Sequence, residues 1–144
     1  MLCSLAHLLR SRHLVTFDEA ILEDCISFAT EVVASTTPFD PESGRMSEYH
    51  VDGKNALAKA LRSKYQLHGD VGNLDKAIEL VQESMYLQSQ IPFCKHTHAV
   101  ESVNQFALMM RSRFDERGEL GDLDTAIQRV QGFLKGRCPK FSPF

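Results

Sequence analysis

The sequence predicts an all-α chain, an α-α superhelix of about three helical hairpins with the first unit truncated. Three observations predict it. Blocks of the chain repeat at near-constant spacing, apolar residues within each block recur at three- and four-residue intervals, and Gly or Pro falls chiefly between those blocks. The first is the signature of stacked supersecondary units, the second is the period of one helix face, and the third marks the connections. No stretch of strand-period alternation rivals the helical pattern.

The first unit covers residues 2–35. Its Leu5–Arg12 matches Leu57–Lys64 at a shift of 52, and its Phe17–Ile21 matches Leu74–Ile78 at a shift of 57, so the connection between its two helices is the shorter one. Thr16 and Glu19 have the spacing of a capping box at the start of the second helix. Ser35–Gly44, with Pro38, Pro41 and Gly44, reads as a loop.

The second unit covers 48–89 and the third 97–136. Laid over each other at a shift of 49, Leu61–Ile78 and Met110–Ile127 are identical at eight of eighteen positions, and Asn55 and Ala58 meet Asn104 and Ala107 in the same register. In the third unit Val100, Val103, Ala107, Met110 and Phe114, widened by Phe106, form one apolar stripe; Leu123, Ala126, Ile127, Val130, Phe133 and Leu134 form another. Between the stripes, His68–Asn73 and Arg117–Asp122 each supply a Gly to end the first helix in a left-handed residue, with Asn73 or Asp122 expected to cap the second. Ser89–Lys95 is the loop between the units. Residues 137–144 form a basic tail whose Phe141 and Phe144 suit docking on a neighbouring repeat or partner.

Composition excludes several classes of function. The chain is 43% apolar and 24% charged, values of an ordinary globular domain. Its formal charge of −3 gives no footprint for nucleic acid or an anionic membrane. The longest apolar runs, such as Phe106–Met110, fall far short of the ~20 residues of a membrane span. The N-terminal apolar stretch lacks a basic leader and is broken by His7 and Arg10, which argues against a secretory signal and for an intracellular, cytoplasmic chain. Cys3, Cys25, Cys94 and Cys138 form no CxxC pair and read as reduced, buried small hydrophobes. There is no GxxxxGK(S/T) phosphate loop, and no cofactor is expected.

The repeated Asn-x-(Leu/Phe)-Ala, then Arg-Ser-(Lys/Arg)-(Tyr/Phe), then Gly-x-x-Gly-x-Leu-Asp-x-Ala-Ile resembles the long-loop tetratricopeptide-type repeats of fungal multidomain proteins. The resemblance covers 55–134 strongly and 2–34 weakly. It implies tight helix packing at Leu57, Ala58, Leu61, Phe106, Ala107 and Met110, and a small residue in the second helix at Ala77 and Ala126. It implies a non-catalytic interaction or scaffolding module within a longer array, adjoining further repeats, a caspase-like CHAT domain or a nucleotide-binding signalling domain. At Phe133 the chain departs from the small residue usual there, and at Thr97–Ala99 it departs from the motif that usually opens the first helix.

A protein or peptide partner is expected on the concave face lined by first helices. By resemblance the candidate contacts are Arg10, Asn55, Lys59, Arg62, Asn104 and Arg111, since a planar guanidinium fork suits carboxylate oxygens. The structural alternative for the Arg column is pairing within the fold to Asp18, Asp75 or Asp124. Cys94, His96 and His98 are the one metal- or thiol-type constellation, and it is weak: two-residue spacing shares a side only in extended backbone, and no fourth ligand is evident. The remaining alternative is a degenerate array fragment with no independent role.

Overall fold

The computed structural model describes residues 4–6, 8–10, 12, 19–39, 42, 48–89 and 96–137. Helical residues 4–6, 8–10 and 12 form an N-terminal helical segment. After it come α1 (Glu19–Ser35), α2 (Glu48–His68), α3 (Val71–Ser89), α4 (His96–Arg117) and α5 (Leu120–Gly132), closed by a π-helical turn at Phe133–Arg137. The architecture is all-helical, and no helix among the described residues is long and apolar enough to cross a membrane.

The two complete hairpins are made by the same local chemistry. Gly69 and Gly118 have φ of 74° and 70°, the left-handed conformation that costs a residue with a Cβ about 1–2 kcal/mol. Each sends its N–H back to a carbonyl four residues earlier, Tyr65 O and Phe114 O, closing the helix end as expected. The expected caps of the second helices are corrected. Asp70, not Asn73, caps α3: its carboxylate accepts from Gly72 N–H at 2.9 Å. Glu119 is the N-cap of α5 without a side-chain cap bond, and Asp122 lies inside the first turn. The caps fall earlier because the helices restart within two residues of each glycine. Thr16 of the expected capping box lies outside the described residues; Glu19 pairs with His68 Nε2 at 2.6 Å.

Each helix packs chiefly on its neighbours along the chain, α2 on α1 and α3, α4 on α3 and α5. The main core joins Leu61 and Tyr65 of α2, Leu74, Ile78, Val81 and Met85 of α3, Phe106, Met109 and Met110 of α4, and Ala126 of α5. A second cluster joins Ala6, Leu22, Cys25, Ala29, Ala56 and Ala60. There the thiol of Cys25 donates to Ala6 O at 2.9 Å, the buried small-residue role expected for it; Cys3, Cys94 and Cys138 lie outside the described residues.

Small residues set the closeness of α1 and α2. A Cβ on Gly53 would lie 2.7 Å from Val32 Cγ1, too near for any real side chain. The equivalent residue one unit later is Ser102, fully buried.

The predicted stripe of α4 is rotated. Met109 and Ser102 are buried, while Val100 is exposed and Ala107 and Phe114 are only partly covered. A first helix packs on two second helices, its own and the preceding one, so its buried arc is wider than a single stripe and centred on Phe106. Ala126 of α5 is buried, but Ile127 of α5 and Leu134 of the π-helical turn are exposed. The departure at Phe133 coincides with the change from α to π geometry; the ring is buried where the preceding unit has Ser84.

Polar side chains tie successive units. Lys64 reaches Glu23 at 2.9 Å. Its equivalent, Arg113, donates two bonds to Asp122 (Nε 3.1 Å, Nη2 2.8 Å) and one to Asp75 (Nη1 3.1 Å). Arg117 adds a 2.7 Å bond to Asp75, and Tyr65 donates to Glu116 at 2.7 Å. Burial and the Glu116 carboxylate raise the Tyr65 pKa to about 12, so it stays a donor throughout the physiological range.

His50 is buried at the α1–α2 junction, its Nδ1 lying 2.9 Å from Thr36 Oγ1. That hydroxyl is committed to Val32 O at 2.7 Å, so Nδ1 is the donor to it. Burial first, then the nearby Lys54 charge, lowers the His50 pKa below its ordinary value. A His whose folded pKa lies below its unfolded value of about 6.5 favours folding above that value. The contribution is lost as the pH falls through the interval down to the folded pKa. Urea titrations on the two sides of that interval are therefore expected to show a loss of stability at the acid side that is smaller in His50→Gln than in the unmodified chain.

Candidate partner-binding face

The N-terminal helical segment, α2 and α4 hold the six candidate contacts, and the structure treats these residues unequally. Asn55 is buried and donates through Nδ2 to Ser102 Oγ at 3.3 Å. Its Oδ1 is buried with no hydrogen-bond partner among the described residues. Lys59 forms an ion pair with Glu101. These two contacts join α2 directly to α4, one turn apart along the same side of α2. Asn104 and Arg111 are exposed on α4.

Arg10 and Arg62 differ from every other cation described above. Both are partly buried, and the Nε of each is enclosed without a hydrogen-bond acceptor among the described residues. Lys54, Lys59, Lys64, Arg113 and Arg117 all meet a carboxylate. The two guanidinium groups also feel each other. Burial lowers the Arg10 pKa, the Cys25 sulfur opposes that shift, and the Arg62 charge adds to it. Two like charges, sheltered from water and short of acceptors, make a local surplus of donors.

The pairing of the Arg column with Asp75 or Asp124 is corrected. Asp75 is taken by Arg113 and Arg117, and Asp124 is exposed; Asp18 lies outside the described residues. The reason is register. Arg113 is three residues from Met110, on the seam side of α4, whereas Arg62 and Arg111 stand one residue after the core positions Leu61 and Met110 and point away from that seam. The sequence signal for Arg113 was the Lys64/Arg113 match in the repeat, conservative rather than identical.

Of the Cys94/His96/His98 constellation, Cys94 lies outside the described residues, and the backbone at His96 and His98 is helical, whereas residues two apart share a side in extended backbone. No group of three or more metal-ligating side chains occurs among the described residues.

A second surface was not foreseen. Pro38, Lys54, Glu79, Gln82, Glu83, Tyr86 and Leu87 line a groove of about 370 Å³ beside α3, bridged by the Lys54–Glu83 ion pair. Its walls come from a loop and two helices distant in sequence, so no local pattern marks it.

No protein-family model, curated protein or solved structure matches this chain.

Proposed function

We propose that the chain is a non-catalytic protein-interaction module of tetratricopeptide type, part of a longer repeat array. It takes an acidic segment of a partner on the face formed by the N-terminal helical segment, α2 and α4. The observation that carries this reading is the Arg10–Arg62 pair, whose buried Nε atoms have no acceptor among the described residues. A partner carboxylate supplies the missing negative charge, and a guanidinium fork matches its geometry.

The test is fluorescence anisotropy with a labelled glutamate-rich peptide ending in a free carboxylate. Binding is expected to weaken with added salt and to fall by at least about tenfold, or about 1.4 kcal/mol, in Arg62→Glu. Arg111→Glu, at an exposed site, is expected to change it far less. Equal effects of the two substitutions, or no binding of acidic peptide at all, would sink the proposal.

A further inference from the structure

The face assigned to an acidic partner already carries a carboxylate of its own. Glu101 of α4 pairs with Lys59 of α2, their side chains 42% and 16% exposed, so the acid stands outward of the cation it neutralises. Lys59 lies one turn before Arg62 on α2, a spacing that sets neighbouring Cβ atoms about 5–6 Å apart. Arg62 in turn is close enough to Arg10 to act on its charge. Three cations therefore adjoin one another, and one of them is held by an acid from the next first helix.

Two observations separate this ion pair from those that tie the units together. Lys64 and Arg113, at matching positions of the repeat, each bind an acid of the preceding unit. The position of Lys59 is Leu108 in the third unit, so this cation is not part of the repeated framework. The same two helices are also joined by Asn55 Nδ2 donating to Ser102 Oγ at 3.3 Å, between buried residues, and they keep that link when the ion pair opens. An ion pair with one partner this exposed contributes little to stability.

We propose that Glu101 is an internal stand-in for a partner carboxylate: the partner segment brings two acids, one to the Arg10–Arg62 pair and one that takes Lys59 from Glu101, an assignment that rests on the acidic-segment reading of this face. In an extended peptide, alternate side chains share a side about 7 Å apart, close to the Lys59–Arg62 spacing, so the segment has the form acid-x-acid. Because one carboxylate is exchanged for another at Lys59, the second acid fixes the register of the segment while Glu101 holds the affinity down.

The experiment combines affinity with cross-linking, using the labelled glutamate-rich peptide at about 0.15 M salt, where charges more than about 8 Å apart are largely screened. Glu101→Gln is expected to keep its helicity and to bind the peptide about fivefold more tightly. Asp115→Asn removes the same charge about 21 Å further along α4 and is expected to change binding less than about twofold. A carbodiimide, which joins a carboxylate to an amine in contact with it, is expected to link Lys59 to Glu101 in the unliganded chain. With saturating peptide that link is expected to give way to one between Lys59 and a peptide glutamate, read by mass spectrometry. No binding to either the unmodified chain or Glu101→Gln would sink this assignment together with the reading beneath it. Binding that is lost in Arg62→Glu leaves that reading standing; an affinity unchanged in Glu101→Gln, a Lys59–Glu101 link missing from the unliganded chain, or one that persists under saturating peptide would then overturn the role of Glu101 alone.

Discussion

Phe106→Ala is expected to lower the unfolding free energy by about 3–5 kcal/mol, the largest effect of any single truncation in this chain. Phe106 is fully buried at the centre of the main core, and Arg129 lies over its ring at 6.0 Å. Its removal deletes apolar burial and leaves a void that helices anchored on both sides close only in part. Against a total stability of about 5–15 kcal/mol for a domain, such a loss brings the chain near its unfolding threshold. The check is a urea titration: the midpoint should fall with the slope unchanged. Phe106→Leu, which keeps most of the volume, is expected to cost about 1.5 kcal/mol or less.

Arg113→Met is expected to cost about 2–3 kcal/mol, since it strips a buried carboxylate of two charge-assisted bonds. Asp122 is buried and accepts both from Arg113, so the cost comes mainly from the acid left behind rather than from the attraction lost. The Arg113 charge is itself stabilised, its pKa raised by bonds to Asp122 foremost and then Asp75, against an opposing contribution from burial. A double-mutant cycle with Asp122→Asn separates these contributions. The coupling is expected at about 1–3 kcal/mol, whereas a merely packed arginine would give additive losses. The more exposed Lys64–Glu23 pair at the equivalent position should show less than about 1 kcal/mol in the same cycle.

The contrast between Arg113 and Arg62 shows what was legible in the sequence. Repetition at a fixed shift located the hairpins and both left-handed glycines, because a turn of that kind is dictated by a few adjacent residues. It did not say which of Arg111 or Arg113 faces the preceding unit. One residue of register is a rotation of about 100° about a helix axis, and only the packing of neighbouring helices fixes its zero. The same limitation explains the misplaced caps at Asn73 and Asp122 and the exposed Val100. Identity between repeats also proved a poor guide to role: the identical Arg62 and Arg111 differ in burial, while the merely similar Lys64 and Arg113 both bind an acid of the preceding unit. The groove beside α3 arises from long-range juxtaposition, which no single stretch of residues encodes.

Gly53 and Ser102 give the packed hairpins a spacer measured in single atoms. Where one hairpin meets the preceding one, the second unit has no side-chain heavy atom and the third has two, with Val32 Cγ1 already occupying the room a methyl on Gly53 would need. The offset between neighbouring hairpins is therefore written into one side-chain volume per junction. Exchange of a small residue at this one site shifts one hairpin against the next without altering the cores that hold each hairpin together.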